Sequence, residues 1–143
     1  MKLEFCADEN ARDVRVIVVA KERTPEVEAI LARLAEPERI AAYSGRGEVL
    51  LEAAEIIRVY TQRRRVLVDS ARGTFSLRSR LYEIEERLGG GFVRISNSEI
   101  VNRMYILSLD FSLAGTIRLS LKGGIETYVS RRYVSRIKKT FGG

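Results

Sequence analysis

The sequence predicts a mainly β protein with a few short helices, and three observations favour this fold class. Short segments rich in Val, Ile and Leu recur along the chain, as at Val14–Ala20 and Thr116–Leu121. Turn-forming glycines separate many of them, as in Ser44–Gly47 and Lys122–Gly124. Helix signals occur in only three places. Many short strands at close spacing with few helices are typical of a β domain.

The N-terminal part of the chain has the pattern of a β-β-α extension. Lys2–Cys6 and Val14–Ala20 have the composition of strands. Thr24 and Pro25 are typical of a helix start, with a capping hydroxyl before a proline at the first helical position. Pro37 is expected to end this helix. Its apolar stripe has the spacing i, i+3, i+4 and i+7 and consists of Val27, Ile30, Leu31 and Leu34.

A domain boundary is predicted near residue 45, with the extension at 1–45 and the main β domain at 46–143. So short an extension is not expected to fold around a core of its own. We therefore expect it to pack on the rest of the chain or on a second subunit. It is our candidate for a homodimer contact, because it lacks the basic surface of the rest of the chain.

The remaining chain alternates strands with two further helices. Strands are predicted at Ile40–Tyr43, Glu48–Leu51, Glu55–Thr61, Arg65–Asp69, Thr74–Leu77, Met104–Phe111, Thr116–Leu121 and Ile125–Val129. A helix is predicted at Arg78–Leu88, and Gly89 is placed to stop it. Ser130 is expected to cap a final helix, Arg131–Thr140.

The composition argues against an enzyme and against a metal site. The chain has no histidine and one cysteine, Cys6, so an intramolecular disulfide is excluded and a Cys/His zinc site lacks ligands. The commonest general base is also missing. The Gly89–Gly91 run follows a predicted helix instead of preceding one, so it is not a phosphate-binding loop. We expect no cofactor and no small-molecule substrate.

The chain also lacks the signals of a membrane or secreted protein. No apolar run approaches the roughly 20 residues of a membrane helix. The first twenty residues alternate charged and apolar groups, which is not the pattern of a signal peptide. A cytoplasmic protein is expected.

Charge is distributed unevenly along the chain. Residues 1–45 carry seven Lys/Arg against nine Asp/Glu, a net charge of −2. Residues 46–143 carry eighteen against ten, a net charge of +8. A basic domain of this kind favours a polyanionic partner. A solvated arginine-rich surface is the alternative that charge alone leaves open.

Two arginine clusters are candidates for contacts with such a partner. Arg63, Arg64 and Arg65 lie at a predicted hairpin tip, where guanidinium groups can reach a phosphate or a base edge. Arg131 and Arg132 lie at a predicted helix start, where the backbone N–H groups favour a phosphate. The alternatives are a tip charged for solubility and an internal carboxylate beside the helix.

A third arginine cluster brackets the start of the second helix. It consists of Arg72, Arg78 and Arg80. These side chains could contact phosphates or pair with Glu83 and Glu85 nearby. The internal pairing is the interpretation we favour.

Two longer motifs carry a family resemblance. Phe92–Asn102 reads Phe-Val-Arg-Ile-Ser-Asn-Ser-Glu-Ile-Val-Asn, and Val129–Tyr133 reads Val-Ser-Arg-Arg-Tyr. Together with the amphipathic helix Leu77–Leu88 they resemble the LytTR DNA-binding family over about residues 46–143. The resemblance implies an elongated β domain. Residues 1–45 are similar to the short extension of stand-alone members and leave no room for a receiver domain.

The resemblance also implies a set of DNA contacts. Family members insert loops into successive major grooves, and the contacts come from an early hairpin, the Arg-x-x-x-Ser loop and the Ser-Arg-Arg turn. On this chain these give Arg63 or Arg64, then Asn97, then Arg132. The hairpin varies in length, so the choice among Arg63, Arg64 and Arg65 stays open. Ser96 stands where relatives often have histidine, so any contact by that imidazole is absent.

Three side chains around this motif have separate expectations. Asn97 could bond adenine or a phosphate, or could be a turn residue bonding its own backbone. Asn102 is expected to have a structural role in the turn before Met104. Arg94 is a candidate for holding the loops together through backbone carbonyls.

The sequence therefore predicts a transcriptional regulator that binds specific double-stranded DNA through loops, as a homodimer because the family's DNA sites tend to be paired repeats. No helix-turn-helix is visible, since strands separate the helices. One alternative is an RNA-binding β domain, for which Tyr60, Phe75 and Tyr128 are the candidate stacking residues. Another is an interaction module that docks an acidic protein surface.

Overall fold

The computed structural model describes residues 1–12, 14–34 and 39–141. The chain divides into two compact units, Met1–Glu36 and Pro37–Gly143. The described residues form ten strands and three α-helices, which confirms the mainly β fold.

The first unit contains one helix, α1 (Pro25–Leu34), and no strand among its described residues. Thr24 caps the helix as expected, since its Oγ1 accepts a hydrogen bond of 3.3 Å from the Val27 amide. The strands expected at Lys2–Cys6 and Val14–Ala20 are not formed, and this part of the prediction was wrong. A strand needs a neighbour for its backbone groups, and these segments pair with no described strand. Pro37 lies outside the described residues.

The second unit consists of two antiparallel sheets. Its strands are β1 (Arg39–Ser44), β2 (Gly47–Glu52), β3 (Ile56–Gln62), β4 (Arg65–Ser70), β5 (Gly73–Leu77), β6 (Phe92–Ser96), β7 (Glu99–Asn102), β8 (Ile106–Asp110), β9 (Ile117–Leu121) and β10 (Ile125–Val129). Seven strands form one sheet in the order β2-β1-β5-β4-β3-β7-β6, and three form the other in the order β10-β9-β8. Strand β1, which lies before the boundary predicted near residue 45, pairs with β2 and β5.

Each sheet supplies one hydrophobic core. The first core lies between the large sheet and α2 (Leu81–Leu88), whose Ile84 is fully buried. The second contains Ile95 from β6, residues of the small sheet, and Ile137 from α3 (Val134–Thr140). Strands β6 and β7 contribute residues to both hydrophobic cores. The loop between these two strands is therefore held by packing on either side.

Helix α2 begins three residues later than predicted. Arg80 is still extended, with φ −77° and ψ 156°, and its amide donates to the Glu83 side chain. The helix ends as expected at Gly89, whose φ of 70° favours glycine. None of the described helices has the length and apolar character needed to cross a membrane.

The final helix is shorter than predicted. Arg131–Tyr133 form a 3-10 turn, and the α-helix starts only at Val134. The Ser130 side chain makes no capping hydrogen bond, so the expected cap was wrong. The Ser130 amide donates to the Ile95 carbonyl (2.9 Å), which holds the chain against β6.

Candidate nucleic-acid interface

Three turns meet at one place in the second unit. The β3–β4 turn contains Arg63 and Arg64, and the β6–β7 turn contains Asn97. Strand β3 pairs with β7, and the Thr61 amide donates to the Ser98 carbonyl (2.8 Å), so these two turns are neighbours. The bond from Ser130 to β6 brings the Arg131–Tyr133 turn beside them.

The β3–β4 turn has an unusual backbone for its sequence. Arg63 and Arg64 have φ values of 51° and 66°, both in the left-handed region. Two-residue hairpin turns with this geometry prefer Asn-Gly, because side chains with a Cβ are strained there. Both side chains are exposed, as is Arg65 at the start of β4. Strain of this kind is found where the side chain is needed for another purpose.

Arg94 holds the backbone of the β6–β7 turn. Its guanidinium donates to the carbonyls of Ser96 and Asn97, both at 2.6 Å, and to Glu85 of α2 at 3.0 Å. The role expected for Arg94 through backbone carbonyls is thereby confirmed. Sequence reasoning did not identify Glu85 as the residue that orients it, because the two lie on different elements.

Ser96 also acts within this turn. Its hydroxyl accepts from the Ser98 amide (3.1 Å) and lies 3.2 Å from the Ser98 hydroxyl. This residue occupies the position where the family often has histidine. Its side chain here stabilises the turn itself.

Asn97 is exposed and contacts the third turn. Its Oδ1 accepts a hydrogen bond of 3.0 Å from the Tyr133 hydroxyl. The alternative in which Asn97 bonds its own backbone is therefore not what the structure shows. Asn102, in contrast, is buried and structural as predicted: it accepts from the Met104 amide (2.9 Å) and donates to the Ile56 carbonyl (2.8 Å).

The third turn presents two exposed arginines, Arg131 and Arg132. The guanidinium of Arg131 lies over Gly115, where an added Cβ would approach it to 3.3 Å. Both arginines precede the first residue of α3, so they do not lie at the α-helix start that the sequence predicted.

A polar cluster lies beneath these turns. Arg58 of β3 pairs with Asp69 of β4 (2.8 Å) and Glu99 of β7 (3.2 Å). Glu99 also accepts from Thr127 of β10 (2.9 Å), and Tyr60 donates to Asp69 (3.2 Å). Burial raises the pKa of Glu99, and the bonds from Thr127 and Arg58 oppose that rise. The cluster links both sheets directly below the β6–β7 turn.

The arginines of the three turns differ from this cluster in having no internal partner. Among the described residues, none of them forms an ion pair with a carboxylate or a side-chain hydrogen bond; they are Arg63, Arg64, Arg65, Arg131 and Arg132. The structure places all six residues that the sequence selected on these three turns or directly beside them, and it joins Asn97 to the third turn through Tyr133. Sequence reasoning did not identify Tyr133 as the partner of Asn97. Tyr133 appeared there only as the last residue of the Val129–Tyr133 motif.

Comparison with known proteins identifies similar chains. The family model described as the LytTr DNA-binding domain matches residues 47–142. Uncharacterized HTH-type transcriptional regulators of Staphylococcus aureus strains NCTC 8325 and COL are each 30% identical over 142 residues, and the match covers 97% of both chains. No two α-helices of the described residues here are consecutive without a strand between them.

A solved structure shows the same fold. It is the LytTr DNA-binding domain of a protein from Bacillus cereus described as a methyl-accepting/DNA response regulator. The TM-score is 0.70 at 22% identity, and the match covers 76% of this chain and 100% of that one.

Proposed function

The chain belongs to the LytTR (LytTr DNA-binding domain) family, and on this basis we propose that it is a transcriptional regulator that reads a specific sequence in double-stranded DNA. The contacts come from the three turns, with Arg63 or Arg64, Asn97 and Arg132 reaching base edges. Arg65 and Arg131 add charge beside them. The protein acts by binding and not by catalysis, and a chromosomal target implies a cytoplasmic location.

One observation carries this proposal. Five arginines without carboxylate partners among the described residues and one exposed amide lie on or beside three turns. The β6–β7 turn is hydrogen-bonded to the third turn through Asn97 and Tyr133, and to strand β3 through Ser98 and Thr61. Unpaired guanidinium groups concentrated in this way favour an anionic partner. Phosphate contacts alone carry no sequence information, and the fixed turns supply the geometry that base reading requires.

The major groove is the surface that suits these side chains. It is about 12 Å wide and presents a distinct pattern of donors and acceptors for each base pair. Arginine bonds guanine O6 and N7, and asparagine can bond adenine N6 and N7. Turns that project from the end of a sheet can enter a groove of that width without a recognition helix.

The test is fluorescence anisotropy of the full chain on DNA from immediately upstream of its own gene. The competitors are a scrambled duplex and single-stranded RNA, across a salt series. We expect tight binding that resists the scrambled competitor at physiological salt. Weak binding of every polymer that vanishes at physiological salt would show that the arginines are only an electrostatic surface.

Preferred binding to the single-stranded RNA would favour the alternative of an RNA-binding domain. In that case the exposed Tyr128, with 52% of its surface accessible, is the first candidate for base stacking.

We also propose that the chain acts as a homodimer through its first unit. No described residue of this unit is buried, and its apolar side chains include Val14, Val16 and Val19 at 88%, 63% and 90% exposure. A unit of this size without a core needs a partner surface.

Sedimentation of the full chain tests the dimer, with Val14→Asp/Val16→Asp as the variant. We expect a dimer for the parent chain and a monomer for the variant. Arg12→Asp, which changes an exposed charge beside the same segment, is the matched control. Dimerisation that survives deletion of residues 1–38 would exclude this unit as the contact.

A further inference from the structure

Asn97 has three polar groups that the structure distinguishes. Its backbone carbonyl accepts from Arg94 (2.6 Å), and its Oδ1 accepts from the Tyr133 hydroxyl (3.0 Å). Its Nδ2 has no hydrogen-bond partner among the described residues, and the residue is exposed. The side chain is therefore engaged at its acceptor and free at its donor.

Tyr133 is itself well fixed. Its amide donates to the Ser130 carbonyl (2.8 Å), its ring packs against the second core, and the Arg136 guanidinium lies 5.1 Å from the ring centroid. In the structure the Tyr133 hydroxyl donates to Oδ1, so this contact occupies the acceptor end of the Asn97 carboxamide and leaves the Nδ2 end for an external partner.

We propose that Tyr133 is a positioning residue that makes Asn97 a hydrogen-bond donor towards DNA, and that the atom read is the N7 of a purine. This inference rests on the proposed function. In the major groove both purines present N7 as an acceptor and thymine presents O4, whereas cytosine presents only the N4 donor, which an amide donor rejects. The site facing Asn97 therefore rejects cytosine, and N7 is the acceptor that both purines share. Tyr133 acts on this contact without touching DNA.

The experiment uses the full chain and a duplex selected by it from a random library. Each purine of the selected site is replaced in turn by its 7-deaza analogue, which lacks N7 but pairs normally. We expect the parent chain to lose affinity about three- to tenfold at one purine, as for one neutral hydrogen bond. We expect Asn97→Ala to abolish the sensitivity to 7-deaza substitution at that purine and at no other.

Tyr133→Phe keeps the ring and removes the hydroxyl. We expect it to weaken binding of the unmodified duplex several-fold and to reduce the sensitivity to 7-deaza substitution at the same purine. Its salt dependence stays that of the parent chain, because no phosphate contact is lost. In the Asn97→Ala background Tyr133→Phe has no further effect. Tyr82→Phe, on an exposed tyrosine of α2, is the matched control and leaves all of these unchanged.

A second variant tests the donor role without removing the contact to Tyr133. Asn97→Asp keeps an oxygen for the hydroxyl and replaces Nδ2 by another oxygen. We expect urea unfolding like that of the parent chain and loss of binding to the selected duplex.

Three results would overturn parts of this account, and they are distinguishable. If the parent chain selects no sequence, the proposed function fails and the inference with it. If it selects a sequence but is insensitive to every 7-deaza purine, Asn97 is not a donor to N7 and the proposed function stands. If Tyr133→Phe keeps the full sensitivity, Tyr133 does not position Asn97.

Discussion

Two arginine-rich regions that look alike in the sequence differ in the structure by what their side chains contact. Around the start of α2, Arg72 pairs with Glu55 (2.9 Å) and donates to the Leu50 carbonyl (2.5 Å), and Arg78 lies 3.9 Å from the centroid of the Tyr43 ring. At the three turns, Arg63 and Arg132 have no such partner among the described residues. The first region uses its charge to hold strands together, and the second leaves its charge for an external anion.

The backbone conformation of the β3–β4 turn adds to this difference between the two regions. The β3–β4 turn holds Arg63 and Arg64 in the left-handed region, where each costs about 1–2 kcal/mol. A turn serving stability alone would have Asn-Gly at these positions. The conformation therefore favours a role for the two side chains that the fold itself does not require.

The largest effect is expected from removing two base-reading side chains together. Asn97→Ala and Arg132→Ala should each weaken specific binding by roughly 1–3 kcal/mol, and the double variant by roughly 2–6 kcal/mol if they act independently. Anisotropy on selected and scrambled duplexes measures this. Arg78→Ala/Arg80→Ala is the matched control from the other region and should bind like the parent chain. An equal loss on scrambled DNA would mean that Asn97 and Arg132 contact only the backbone.

The next effect separates stability from binding at one turn. Arg63→Asn/Arg64→Gly should raise the free energy of unfolding by about 1–2 kcal/mol, because the preferred turn residues relieve the backbone strain. The same variant should weaken DNA binding by roughly 1–3 kcal/mol. Urea unfolding and anisotropy on one preparation give both values. A variant that is more stable and binds normally would remove this hairpin from the interface.

At Arg72 we expect a smaller effect, which lowers stability and leaves DNA binding unchanged. Arg72→Ala removes a partly exposed ion pair and one hydrogen bond to a carbonyl, so it should lower the free energy of unfolding by about 0.5–1 kcal/mol. DNA binding should not change. Loss of DNA binding with unchanged stability would show that the two arginine-rich regions do not differ in the way described.

The smallest effect concerns the buried cluster beneath the turns. Burial raises the pKa of Glu99, so the folded chain holds this proton at pH values where the unfolded chain has released it. The stabilisation is present at acidic pH and is lost as the pH rises from the unfolded value of about 4.3 through the raised pKa. Glu99→Gln keeps an acceptor for Thr127 and leaves Arg58 paired with Asp69.

Relative to the parent chain, Glu99→Gln should therefore gain stability as the pH rises above the ordinary range of a glutamate, and the gain should level off once the Glu99 carboxyl is ionised in the folded chain. Urea unfolding at several pH values measures the difference between the two chains. A difference that does not vary with pH would show that the carboxyl of Glu99 titrates at its ordinary value.

Local patterns predicted most of the second unit and the helix of the first, but they failed for the two strands expected in the first. Strand Ile125–Val129 and the glycine stop at Gly89 follow from periodicity and turn chemistry, which act over a few residues. The valine-rich segment at Val14–Ala20 has the same composition as a strand. It does not form one in the described chain because pairing depends on a neighbour, which composition does not encode.

The candidate site also divides into residues that local patterns identified and contacts that depend on tertiary packing. The family motifs selected Asn97 and Arg132, but the bond from Tyr133 to Asn97 joins residues 36 positions apart in the sequence. The orientation of Arg94 by Glu85 likewise depends on how α2 packs beside β6. Contacts between elements are set by tertiary packing, so no local pattern could reveal them.

The most direct test of the central claim is dimethyl sulfate protection of guanine N7 on the selected duplex, because this atom lies in the major groove. The account predicts protection at a few discrete guanines by the parent chain, and loss of protection at one of them with Arg132→Ala. Protection should persist with Arg78→Ala. Absence of N7 protection on a duplex that is fully bound would contradict reading of the major groove by these turns.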